Sequence, residues 1–290
     1  MQWRTRAGTV AALAAGVVLS GCGAADPGSG TRASDDATDA EVVVRGIVMQ
    51  SSPDARIELC VGPVMESYPP QCRGPELRGE FSWGDVEVQE QGGVRWTDTV
   101  YVAVGTFDRA ADAFTLTRPL STDAPPGVTM PTAADVDFPQ LCEDPFRGGD
   151  PGHPGDLESQ ERLHQRLSTL DGYVTSWVSD GADLFNVVVT GDAEDAHAAL
   201  REVWAGGLCV ERRDLPTAAE VASAQDALNE RARELGLMSS ASGGTSGLLE
   251  VEVMLADAET TALVHEVVAP WLTPEEVSIS GAMRPLELPR

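Results

Sequence analysis

The spacing of hydrophobic residues in this chain changes near residue 156. Between Glu41 and about Ser121 they come in short, β-branched runs broken by turn residues, which is the pattern of strands. Val42–Met49 predicts a first strand, Ser51-Ser52-Pro53-Asp54 a turn and Ile57–Val61 its partner. Val86-Glu87-Val88 and Val94-Arg95-Trp96 flank Gln91-Gly92-Gly93 and predict a second hairpin. Val100–Val104 and Phe114–Thr117 predict a third. Residues 122–155 then carry seven prolines with several glycines and aspartates, so an irregular connector is expected there.

From Asp156 the apolar positions take up helical spacing in alternation with strand-like runs. Asp156 is an N-cap candidate for a helix carrying Leu157, Leu163 and Leu167. A hairpin follows, Tyr173–Val178 and Phe185–Val189 around Asp180-Gly181, then a helix over 193–204 and a strand at Leu208–Val210. Thr217 with Glu220 forms a capping box for a helix running to Gly236. Residues 239–247 (SSASGGTSG) predict a flexible loop, followed by strand 249–253, helix 258–268 and strand 277–279. The units ending at Ala205 and Ala269 share a loose pattern that fits either a duplicated β-α-β unit or convergent amphipathic spacing.

The expected fold class is therefore α+β. An N-terminal antiparallel β-barrel or sandwich, of the five-stranded oligonucleotide/oligosaccharide-binding (OB) kind, occupies 41–121. After the connector at 122–155, a mixed α/β domain with β-α-β units packed on one sheet occupies 156–290.

The N-terminus adds an address. Arg4 and Arg6 precede an uncharged stretch from Ala7 to Leu19, and small residues lead to Cys22, as in a secretory signal. At about 1.5 Å per residue that stretch is too short to cross a bilayer as a helix. Leu19-Ser20-Gly21-Cys22 resembles the lipobox of bacterial lipoproteins. The resemblance implies a signal peptide at 1–21 and a lipidated Cys22 as the mature N-terminus, anchored by at least two acyl chains, enough for stable membrane attachment. Residues 22–40, small and acidic, then form a flexible tether.

Charge narrows the partners. The chain carries −26 overall; without residues 1–21 it has 18 arginines against 46 acidic residues, a net charge of −28 over 269 residues. Such a surface repels nucleic acid and anionic headgroups, so the expected partners are the membrane through the N-terminal lipid and an envelope protein, with no nucleic acid. All 20 basic residues are arginine. The lack of lysine excludes a P-loop, a Schiff base to pyridoxal phosphate and a Ser-x-x-Lys nucleophile.

Apart from Cys22 there remain Cys60, Cys72, Cys142 and Cys209. An even number without a C-x-x-C pair reads as two disulfides in an oxidising compartment. Three pairings are possible; Cys60–Cys72 and Cys142–Cys209 keep each bridge within one expected unit.

Candidate chemistry is thin. His153, His164, His197 and His265 show no i, i+4 pair for zinc. No G-x-S-x-G elbow is present, and Gly244-Thr245-Ser246-Gly247 falls in the expected loop. The acidic connector from Asp135 to Asp156 lacks the register of a calcium loop. Trp83, Trp96 and Tyr101 could make a stacking face for a sugar or peptide, or simply fill a small core. No catalytic, metal or cofactor residues are assigned.

Glu58–Gly62, Tyr68-Pro69-Pro70-Gln71-Cys72 and Phe114–Thr117 resemble a module of exported actinobacterial proteins, and Gly207–Val210 resembles its companion domain. The resemblance implies architecture and location, and brings no reaction. The expectation is a membrane-anchored binding or scaffolding lipoprotein. A carboxylate-dependent envelope enzyme and a transporter-associated solute-binding lipoprotein are the alternatives.

Overall fold

The computed structural model describes residues 40–128, 130, 137–152 and 155–286. Its centre is a closed five-stranded β-barrel. The strands β1 (Val42–Gln50), β2 (Glu58–Cys60), β3 (Glu76–Arg78), β6 (Tyr101–Asp108) and β7 (Ala113–Leu116) run in the ring order β1-β2-β3-β7-β6, and β6 returns to β1. The barrel is mixed and departs from the all-antiparallel expectation. β3 and β7 pair in parallel, Leu77 opposite Phe114, because the chain between them crosses the end of the barrel and does not turn back beside β3. A hairpin of β4 (Gln89–Gln91) and β5 (Val94–Trp96) lies within that crossing and pairs with the end of β1.

β1 holds this arrangement together. Along one edge it pairs with β6 at Val42–Gly46 and with β5 at Met49–Gln50. It also pairs with β2 at Ile47–Met49 and with β13 (Val277–Pro285) at Val42–Val43. Both faces are consequently covered: Val42, Val44 and Val48 join the barrel core, while Ile47 and Met49 pack outside it around Cys60 and Trp96. That double burial is why β1 reads as an almost continuous apolar run. The ring is tight enough to demand glycine. A Cβ on Gly105 would fall onto the Thr115 carbonyl, far inside contact distance.

Beyond the barrel, β13 carries the sheet on to β12 (Leu249–Leu255) and β11 (Leu237–Ser242). The helices α3 (Ala218–Glu230) and α5 (Ala258–Val268) cover one face, burying Val221, Leu228, Val264 and Val268 against Leu249, Val251 and Val253. The single turn α4 (Ala232–Leu235) adds Leu235 to the same core. A separate sheet has the order β10-β9-β8, from Leu208–Arg212, Phe185–Val189 and Tyr173–Val178. It packs against α1 (Leu157–Ser168) and α2 (Ala193–Arg201), with Leu163, Leu200 and Trp204 fully buried.

Two sheets therefore stand where one was expected. The segment β9-α2-β10 belongs to the small sheet and β12-α5-β13 to the large one, each with its strands paired in parallel. Residues 239–242, expected as loop, lie in β11, since pairing along β12 overrides the weak strand preference of Ser and Ala. The hairpin expected to start at Val86 starts at Gln89, because Ser82 caps a short 3-10 turn, Trp83–Asp85, just before it. Leu157, expected on the buried face of its helix, is 85% exposed at the helix start.

The two disulfides are Cys60–Cys72 and Cys142–Cys209, the pairing favoured from the sequence. The second straps the connector to β10. Around it, Trp177 Nε1 donates to the Pro139 carbonyl, the Leu141 amide donates to Asn186 Oδ1 and the Leu208 amide donates to the Pro145 carbonyl. These bonds give partners to polar groups on all three strands of the small sheet.

Candidate functional site

β3 and β7 run in parallel, so the segments that follow them leave the barrel at the same end. Residues 79–86 and 117–120 emerge side by side there and enclose a cavity of about 700 Å³. Phe81, Val86, Leu116 and Leu120 supply its apolar wall. Phe81 also packs edge-on against Trp83, with ring centroids 5.3 Å apart, and both rings contact the barrel core. In this way the 3-10 turn closes the barrel floor and leaves a recess beside it.

The polar part of the lining includes Glu80, Asp85, Thr117 and Arg118. Arg118 is already engaged, its Nη2 lying 2.9 Å from a carboxylate oxygen of Glu41. The Thr117 hydroxyl donates to the other carboxylate oxygen of Glu41. The Thr117 hydrogen bond, with the Arg118 guanidinium, holds the Glu41 carboxyl below the usual carboxylate range against the opposing effect of burial. Glu80 and Asp85 form no ion pair among the described residues. The recess is thus lined by apolar side chains together with two carboxylates that have no ion pair among the described residues and one arginine paired with Glu41.

Ser82 is committed to accepting from the Gly84 amide. The lining offers shape, apolar surface and negative charge, which suit binding.

Residues picked out from the sequence are not gathered here. Trp96 and Tyr101 are core residues, 2% and 8% exposed, and only Trp83 sits at the barrel end. His164 stacks edge-on against Phe185 with centroids 6.0 Å apart, and His197 is buried on α2. Burial, together with the nearby Arg201 and Arg147 guanidinium groups, pushes the His197 pKa down. Cys22, His153 and Asp135 lie outside the described residues. Among the described residues no group of three or more His, Cys, Asp or Glu could hold a metal ion. The cavity itself was missed in the sequence. Its one visible trace was Phe81-Ser82-Trp83-Gly84, aromatic residues in a turn with no strand to occupy.

Compared with protein-family models and with curated proteins, the sequence gives no match. The two disulfides indicate an extracellular or extracytoplasmic location. No helix of the described residues is long and apolar enough to cross a membrane.

Proposed function

We propose that this chain is a membrane-anchored envelope lipoprotein whose folded body is a binding module working through the recess at the barrel end. The recess carries the reading, as a cavity of about 700 Å³ with a mixed apolar and charged lining. The anchor rests on Leu19-Ser20-Gly21-Cys22, and the two disulfides agree with export.

The barrel belongs with the OB type on this reading. The ring order, the parallel closure between its third and fifth strands and a crossing segment that plugs one end all support that assignment. Charge argues against the nucleic-acid ligands common to that class, since a net −26 repels phosphate.

The test is fractionation of cells making the wild-type chain or Cys22→Ala. Wild type in the membrane fraction and the variant released supports the anchor; equal distribution of the two overturns it.

A further inference from the structure

Glu41 is held at the rim of the recess. Glu41 immediately precedes β1, and its carboxylate is held by Thr117 and Arg118, both of which line the recess. The Leu286 amide donates to the Glu41 carbonyl, fixing the same residue from the other end of the chain.

We propose that the recess takes an amphiphile with a cationic amine headgroup. This deepens the binding-module reading and rests on it.

The chemistry of the lining selects the occupant. An apolar tail fits against Phe81, Val86, Leu116 and Leu120. At the headgroup, Glu80 and Asp85 have no cationic partner among the described residues, while Arg118 is neutralised by Glu41. An anionic head would meet two exposed carboxylates and no available cation in the lining. An amine head meets complementary charge.

Two measurements test this. In the first, full-length lipidated protein is placed in neutral phosphatidylcholine vesicles containing a few per cent of an alkylamine or of the chain-matched fatty acid. A photocrosslinking residue replaces Ser82 at the rim or Asp226 on the exposed side of α3. Crosslinking from position 82 to the alkylamine, roughly tenfold above position 226 and above the fatty acid, is expected. Equal yields at the two positions overturn the recess as the site, and equal yields of the two amphiphiles overturn the charge selection. Vesicle flotation reports separately whether the protein is anchored, so failure of the anchor is distinguished from failure of the inference. In the second, soluble Cys22→Ala chain is titrated with octylammonium and octanoate below their micelle concentrations. Saturable octylammonium binding, weakened roughly tenfold by Glu80→Gln with Asp85→Asn and unchanged by Glu250→Gln with Glu252→Gln, supports the recess as the site. Equal weakening by both double variants reduces it to general attraction by an acidic surface and overturns the proposal.

Discussion

The guanidinium of Arg201, at the end of α2, donates to the carbonyl of Pro145, 56 residues earlier in the connector, at 2.6 Å. The same group donates to the carbonyls of Arg147, Trp204 and Gly206 and has no carboxylate partner among the described residues. Burial pushes its pKa down, with the Arg147 charge acting in the same direction. Its role is that of a planar fork gathering backbone acceptors from two segments. Arg201→Ala should lower unfolding free energy by about 3 kcal/mol in urea titration, since buried carbonyls lose a charged donor. Arg201→Lys should recover less than half of that, because an ammonium cannot match the fork.

His197 contributes to the acid limb of stability. Its folded pKa lies below the ordinary value of 6.5, so the unfolded chain takes up the proton more readily. Stability is fully present above about pH 6.5 and falls as pH drops through the folded value. Melting temperatures measured from pH 7.5 down to 5 should decline for the wild type. His197→Gln should flatten that decline within this window; an unchanged slope assigns the limb elsewhere.

The two bridges should differ in worth. Cys142–Cys209 closes 67 residues and Cys60–Cys72 closes 12. Chain entropy assigns about 4 kcal/mol to the longer loop and about 3 to the shorter. Paired Cys→Ser variants of each, compared by denaturant midpoint, should lose stability in that order.

Gly105→Ala should cost about 2–3 kcal/mol, a large penalty for one methyl group. The clash is with the backbone of β7, which cannot move without opening the ring. Gly191→Ala, which meets no atom within 4 Å, is the control and should change stability little.

What could be read in the sequence was what local pattern encodes. Val42–Met49, Tyr173–Val178 and the capped helices at Asp156 and Thr217 all form near their expected places. The cysteine pairing was legible from chain order, with Cys60 joining its neighbour Cys72 and Cys142 joining Cys209 in the stretch that follows it. Non-local pairing was not legible. Glu76–Arg78 is a three-residue strand with one buried side chain, and only its neighbours β2 and β7 make it a strand. Ser239–Ser242 has the composition of a loop and becomes a strand by lying along β12. The recess was hidden for the same reason, because its walls come from the exits of two strands far apart in the chain whose parallel pairing has no periodic signature.

The pairing of β1 with β13 has a consequence for the order in which this protein is made. Val42 and Val43 emerge early from the ribosome, and their partners Pro285 and Arg284 emerge last. If the chain is threaded N-terminus first across a membrane, β1 must wait for almost the entire polypeptide before that edge is sealed. Its run of valines stays open to wrong partners in the meantime, so safe passage depends on the early closure of β1 by β2, β5 and β6. A chain stopped after β7 but before residue 277 would carry a finished barrel with a bare seam, a ready mark for quality-control proteolysis.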